Sequence, residues 1–202
     1  MTPETRKPRT RLSAEARRAR LLVSAAKIVV DQGFFPVSME GIARDCGVSK
    51  GLVYAHFPTQ ESLANGLLGA HLTQIEPALA EAGNRRDLLN AALAAADAYF
   101  DHIAGNGLLL NILIGSSHAL GRLDTKVLRQ RDRLVLPLLR RARRELGLTT
   151  RETLAAFNLI LAIPEEAGRL AFTGRMAPAA ARGLMRLLVK SAIDSIQPSR
   201  AL

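Results

Sequence analysis

Apolar residues recur every third or fourth position through most of the chain, and glycine, proline, serine or threonine interrupts them at intervals. That rhythm predicts helices from end to end. Ser13 suits an N-cap, with Glu15 favourable in the first turn, and Leu21, Leu22, Ala25, Ile28 and Val29 form a buried stripe that Gly33 stops. The stretch Ser38 to Phe57, SMEGIARDCGVSKGLVYAHF, predicts two short helices around a tight turn. Ser38 caps the first, Met39, Ile42, Ala43 and Cys46 share one face, and Gly47 supplies a left-handed residue. Ser49 caps the second, whose apolar side is Leu52 or Val53 with Phe57, and Pro58 ends it. Phe34 and Phe35 are placed to plug the gap between the first helix and this pair. A pair of this form is a helix-turn-helix, whose second helix enters the major groove of DNA.

The rest of the chain continues the pattern. Thr59 caps a fourth helix through Leu63, Leu67, Leu68 and His71 to about Gln74, and Pro77 predicts a kink or break near Ile75-Glu76. Asp87 caps a helix to about Ala104, with Leu88, Ala92, Ala95 and Tyr99 at helical spacing, and Gly105-Asn106-Gly107 reads as a breaker. An apolar helix from Leu108 to Ala119 follows, and Gly121 ends it. The helix Asp124 to Leu146 has Leu128, Val135, Leu138, Ala142 and Leu146 inward, with Arg129, Arg133, Arg140, Arg141 and Arg144 mostly on a solvated face. Thr149 and Glu152 form a capping box for a helix to about Thr173, carrying Leu154, Phe157, Leu161, Glu165 and Leu170. Pro137 and Pro164 predict bends. Pro178 opens a last helix with Ala181, Leu184, Leu187, Leu188, Ser191 and Ile196 at near-helical spacing.

Composition sharpens this picture. Nearly half the 202 residues are hydrophobic, aromatics are few and tryptophan is absent, so Leu, Ala, Ile and Val must fill the core. The formal charge of +10 suits a polyanionic partner, and equally a solvated surface. Arg6, Lys7, Arg9 and Arg11 lie in an aperiodic N-terminal stretch, read as a flexible basic arm that reaches phosphates or the minor groove, or as a solubilising tail. Cys46 is the sole cysteine, which excludes an internal disulfide and a multi-cysteine zinc site. The polar, basic start resembles no signal peptide and no apolar run is long enough to span a bilayer, so a cytoplasmic protein with no membrane partner is expected.

Catalytic and metal motifs are missing from the sequence. His56, His71, His102 and His118 make no HExxH or other close ligand spacing, and no GxSxG, GxGxxG or Walker loop occurs. Glu165 and Glu166 are adjacent on a helix and face different ways, a poor acid/base pair. No enzyme activity, metal or cofactor is expected. Asp97, His102, Asn111, His118 and Asn158 sit within apolar helices and are candidates for a small-molecule pocket, or are ordinary surface and core groups. An aliphatic or acyl-like ligand suits the Leu/Ile/Ala composition better than a flat aromatic cation.

Leu21 to Leu63 resembles, without a gap, the DNA-binding domain of the tetracycline-repressor (TetR) family. The marks are Ala25, Gly33-Phe34, Ser38-Met39, Ile42-Ala43, Gly47-Val48-Ser49-Lys50-Gly51, Tyr54, His56-Phe57-Pro58, Glu61 and Leu63. Beyond this first third only helical character and length match. The chain departs from the family at Leu52, where threonine or serine is common, at Ala55, where a large polar residue is common, and at Gln60, where lysine is common. The resemblance implies an all-α protein: a helix-turn-helix head of three helices at 13–58 and a ligand-binding and dimerisation bundle at 59–197. The arm, 1–12, and a tail, 198–202, flank them. It implies DNA contacts from Ser38, Arg44, Ser49, Lys50, Gly51, Leu52, Tyr54, His56 and Thr59, with Lys50, Tyr54 and His56 on phosphates. It implies a homodimer through the last two long helices, a palindromic double-stranded DNA operator, and a small-molecule effector that releases the repressor. Two other classes stay open: a sequence-tolerant DNA-architectural protein, and a helical enzyme that kept a head domain.

Overall fold

The computed structural model describes residues 13–115 and 123–196, side chains at positions 111 and 114 excepted. The arm, the tail, His118 and the Ala119–Gly121 helix end lie outside them. Among the described residues there are eight helices and no strand: α1 (Ala14–Gln32), α2 (Met39–Cys46), α3 (Lys50–His56), α4 (Gln60–Gly83), α5 (Leu88–Gly115), α6 (Thr125–Leu146), α7 (Thr150–Phe172) and α8 (Pro178–Ile196).

Their ends are set by caps that the sequence carries. The hydroxyls of Ser13, Ser38, Ser49 and Thr59 accept the amides of Ala16, Gly41, Leu52 and Ser62 at 3.1–3.2 Å. Asp87 and Asp124 do the same for Asn90 and Val127, each at 2.8 Å, and Thr149 with Glu152 forms the capping box of α7. Gly33 and Gly47 close α1 and α2 in the left-handed region, at φ 76° and 63°, where a side chain would be strained.

One core cluster joins α1, α2 and α3 around Leu21, Ala25, Val29, Ile42, Val53 and Phe57. It does not stop at the head: Leu63, Ala64 and Leu67 of α4 and Leu109 and Leu113 of α5 complete it. A second cluster packs Ala96 and Phe100 of α5 against Ala167 of α7 and Ala181, Met185, Val189 and Ile193 of α8. Polar clamps fix α6 between them. Buried Asn65 accepts the Asp124 amide (2.9 Å), Gln130 donates to Thr73 (2.8 Å), and the Arg141 guanidinium donates to the carbonyls of Arg85 and Arg86 (2.7 and 2.6 Å). Arg141 thus closes the α4–α5 turn, whereas Arg129, Arg133, Arg140 and Arg144 are exposed as expected.

Three expectations are corrected. α4 does not end near Gln74 but runs through Pro77 to Gly83. Pro77 is exposed, and Ile75 and Ala82 on either side of it are buried, so packing holds the helix across the lost hydrogen bond. α5 does not break at Gly105-Asn106-Gly107; it is continuous to Gly115. The Asn106 side chain donates to the His102 carbonyl (3.1 Å), back into the helix rather than into a turn. Gly107 serves a close approach: a Cβ there would lie 3.0 Å from Cγ of Phe172, and one on Gly168 would lie 2.7 Å from Cβ of Ile103. Phe35 is buried as a plug, but Phe34 is 59% exposed.

Candidate nucleic-acid interface and apolar cavity

The residues expected to meet DNA gather at α3 and at the ends of α2 and α4. Val53 is fully buried, which fixes the rotation of α3. Ser49, Lys50, Gly51 and Tyr54 are exposed and Leu52 is partly so; Leu52 therefore does not take the inward place. Lys50 forms an ion pair with Glu40 of α2, which raises the lysine pKa and lowers that of the carboxylate. The same ammonium stands 5.9 Å from the Tyr54 ring centroid. No atom outside the helix's own backbone comes within 4 Å of a Cβ built on Gly51, so a phosphate backbone has room there. Arg44 is exposed in the last turn of α2. Ser38 and Thr59 are exposed caps, whose hydroxyls serve the helix ends described above. His56 is half-buried, with its ring tilted against Phe57 (centroids 6.4 Å apart) and its carbonyl accepting from Arg18 (3.1 Å).

Below the head, α4, α5, α6 and α7 line a partly open cavity of about 690 Å³. Its walls are mostly aliphatic, among them Leu72, Ile75, Leu79, Val135 and Leu161. The polar groups on it are few: His71, Tyr99, His102, Thr153, Asn158 and the pair Arg131–Asp132. Burial pushes His71 down to about 4, with the nearby His102 adding to the effect, and burial lowers His102 as well. Burial pushes Tyr99 up to about 12, and the charge of Glu165 adds to that.

The five pocket candidates separate. His102 and Asn158 border the cavity. Asp97 does not: it turns to α8 and pairs with Arg182 and Arg186. The Asn111 side chain and His118 lie outside the described residues. His71, Tyr99 and Thr153 line the cavity as well, although in the sequence His71 and Tyr99 only continue helical stripes and Thr153 carries no signal. The signal for His71 was present: it continues the apolar face of Leu63, Leu67 and Leu68, where a polar group has few neighbours to satisfy it.

Residues 21–67 match the family model for bacterial regulatory proteins of the tetR family. The head is similar to the DNA-binding domain of that family. Its relatives include the transcriptional activator FasR of Mycolicibacterium smegmatis, 34% identical over 97 residues, which are 46% of this chain and 43% of that protein. The regulator UidR of Escherichia coli is 36% identical over 55 residues, 27% of this chain and 28% of its own. The chain thus spans less than half the length of these curated relatives. Solved structures extend the likeness past the tetR-type head. A protein of unknown function from a Rhodococcus species superposes with a TM-score of 0.71 over 96% of this chain and all of its own, at 21% identity. A transcriptional regulator structure from Pseudomonas aeruginosa gives 0.70 over 93% of each chain, at 18% identity. At such identities the likeness is one of fold. Among the described residues no single helix is long and apolar enough to cross a membrane.

Proposed function

We propose that this chain is a ligand-responsive DNA-binding transcriptional regulator that acts as a homodimer. The observation that carries the reading is α4. Its first turns belong to the core of the head through Leu63, Ala64 and Leu67. Its later turns line the cavity through His71, Leu72, Ile75 and Leu79. One helix therefore feels both DNA and ligand. A small molecule that prefers a state with α4 displaced moves α3 out of register with the groove and releases the operator, which is repression relieved by an effector.

The dimer reading rests on unpartnered apolar surface. Leu159 of α7 is 73% exposed and Leu187 of α8 is 60% exposed, while Leu184 and Leu188 are also open. Within the chain α8 packs through Ala181, Met185, Val189 and Ile193, which leaves its leucine face for a second copy. Two heads then read half-sites about one helical turn apart or a multiple of it, in a palindromic operator. On DNA, Lys50, Tyr54 and His56 meet phosphates, and Lys50 exchanges Glu40 for a phosphate. Ser38, Arg44, Ser49 and Thr59 flank them, Gly51 admits the backbone, and Leu52 faces bases. The protein acts where the chromosome lies, in the cytoplasm, with no cofactor.

Footprinting on DNA flanking the protein's own gene tests the reading. A protected palindrome that survives excess competitor DNA, and a reporter from that promoter repressed by the protein, are expected. Equal affinity for every sequence with a steep salt dependence sinks the regulator and favours an architectural protein.

A further inference from the structure

We infer that the cavity takes an acyl compound with an uncharged carbonyl head, whose oxygens accept hydrogen bonds from Nε2–H of His71 on α4 and of His102 on α5. The inference rests on the effector-cavity reading above. A neighbour sets the tautomer of His102, and burial favours one for His71. The Asn106 side-chain nitrogen donates to the His102 carbonyl at 3.1 Å, which orients that amide, and the same nitrogen lies 3.5 Å from His102 Nδ1. Nδ1 of His102 therefore faces a donor and accepts, and its ring proton sits on Nε2. His71 is 7% exposed, and its Nδ1 is buried with no hydrogen-bond partner. An imidazole that must leave one nitrogen dry leaves its lone pair dry, since orphaned buried N–H groups are the rarer and costlier case. Its proton is then on Nε2 as well, the nitrogen that is not sealed in.

The two rings meet edge to face with centroids 5.1 Å apart, and both border the cavity. Two imidazoles thus stand side by side on an otherwise aliphatic wall. A ligand group with acceptors only, at the end of an alkyl chain, complements it.

The charges around the cavity decide against a free carboxylate. α4 and α5 present only His71, His102 and Tyr99. On α6, Arg131 is matched by Asp132 at 2.7 Å. On α7, Glu165 adds a negative charge near Tyr99. Burial disfavours the charged form of both imidazoles. A carboxylate entering here would lack a counter-charge and would have to bring a proton with it.

Calorimetric titration of the full chain with methyl octanoate, octanoate and 1-chlorooctane tests this. Methyl octanoate should bind about tenfold tighter than 1-chlorooctane, the worth of one or two net hydrogen bonds. Its Kd should stay constant from pH 7 to 8, while octanoate binds more weakly at pH 8 and tightens on acidification. His71→Phe should erase the ester's advantage and leave 1-chlorooctane unchanged. His102→Phe repeats the test should the first variant not fold. Equal binding of ester and chloroalkane, or an unchanged ester advantage in the folded variant, overturns the inference. Octanoate binding tightest at pH 8 also overturns it and leaves the cavity reading standing. Binding of none of the three overturns the cavity reading and the inference with it.

Discussion

Two glycines three residues apart on α4 meet opposite surroundings, and alanine at each should have opposite effects. A Cβ on Gly66 would lie 2.8 Å from Cε1 of Phe57, 3.0 Å from Cδ2 of Leu22 and 3.2 Å from Nη2 of Arg18. A Cβ on Gly69 would meet Gln130 Oε1 at 3.6 Å and Val127 Cγ2 at 3.8 Å, which is ordinary contact. Alanine in place of glycine inside a helix gains up to about 1 kcal/mol at either site. Nothing opposes that gain at 69, so Gly69→Ala should stabilise by roughly 0.5–1 kcal/mol. At 66 the Phe57 ring is fully buried, and the Arg18 guanidinium sits 4.3 Å from its centroid on one face. The ring cannot retreat without moving the end of α3. Overpacking of this kind costs about 1–3 kcal/mol. Against the helix gain, a net loss of roughly 1–2 kcal/mol remains for Gly66→Ala. In a domain of this size 1 kcal/mol shifts Tm by about 2–4 °C. Urea titrations followed by circular dichroism give both numbers, and operator titration of the folded variants gives the functional one. Gly66→Ala should also bind operator more weakly at equal folded fraction, because Phe57 closes the recognition helix. Stabilisation of Gly66→Ala to the same extent as Gly69→Ala would show a loose joint there and refute α4 as the link between head and cavity.

Leu187→Glu places a charge on the open leucine face of α8 and should yield monomers with weak operator binding; a parent protein that is monomeric by light scattering at micromolar concentration removes the dimer. For His71 the folded pKa of about 4 lies below the unfolded value of about 6.5, so the unfolded chain takes the proton first. Its contribution is intact above pH 6.5 and is lost as pH falls towards 4, by roughly 3 kcal/mol at most. Denaturant titrations of the parent and His71→Phe should therefore converge in pH dependence above 6.5 and diverge below it, and parallel curves contradict a buried neutral histidine. Leu52 should bury a thymine methyl at a cost of about 1 kcal/mol when deoxyuridine replaces that thymine in both half-sites. Leu52→Ala should abolish the difference, and a loss that persists in the alanine variant removes Leu52 from readout.

The head was legible in the sequence because its geometry is local. Each short helix there opens on a serine cap and closes within ten residues, α2 on left-handed Gly47 and α3 at Phe57 before Pro58, so its register follows from spacing alone. Only the choice between Leu52 and Val53 needed the fold, since adjacent residues both satisfy a helical period. The body was legible as helices but not in its breaks. Gly105 and Gly107 carry the same local signal as a turn, yet the approach of α7 at Phe172 uses Gly107 inside a helix. Pro77 carries the signal of an end, yet buried Ile75 and Ala82 bridge it. In both cases long-range packing overrode a local preference worth a few kcal/mol at most.

The cavity escaped for a related reason. Asp97 and His102 are five residues apart on α5, which turns them roughly 140° from each other around the helix. They cannot serve one pocket, and the fold gives Asp97 to the arginines of α8 and His102 to the cavity. Which face received which partner depended on how α7 and α8 cross α5, and no spacing within α5 encodes that. His71 is the more informative case. A helix whose other buried residues, apart from the hydrogen-bonded Asn65 and the closely packed Gly66, are leucine, alanine and isoleucine carries one imidazole with a dry nitrogen, and a leucine or phenylalanine in its place would fold more firmly. Core positions that break the packing rule at a cost in stability are where function is expected. The cost at His71 lies on the same helix whose first turns hold the DNA-binding head. On the proposed reading, a ligand that satisfies this residue acts on the helix whose first turns share a core with α3.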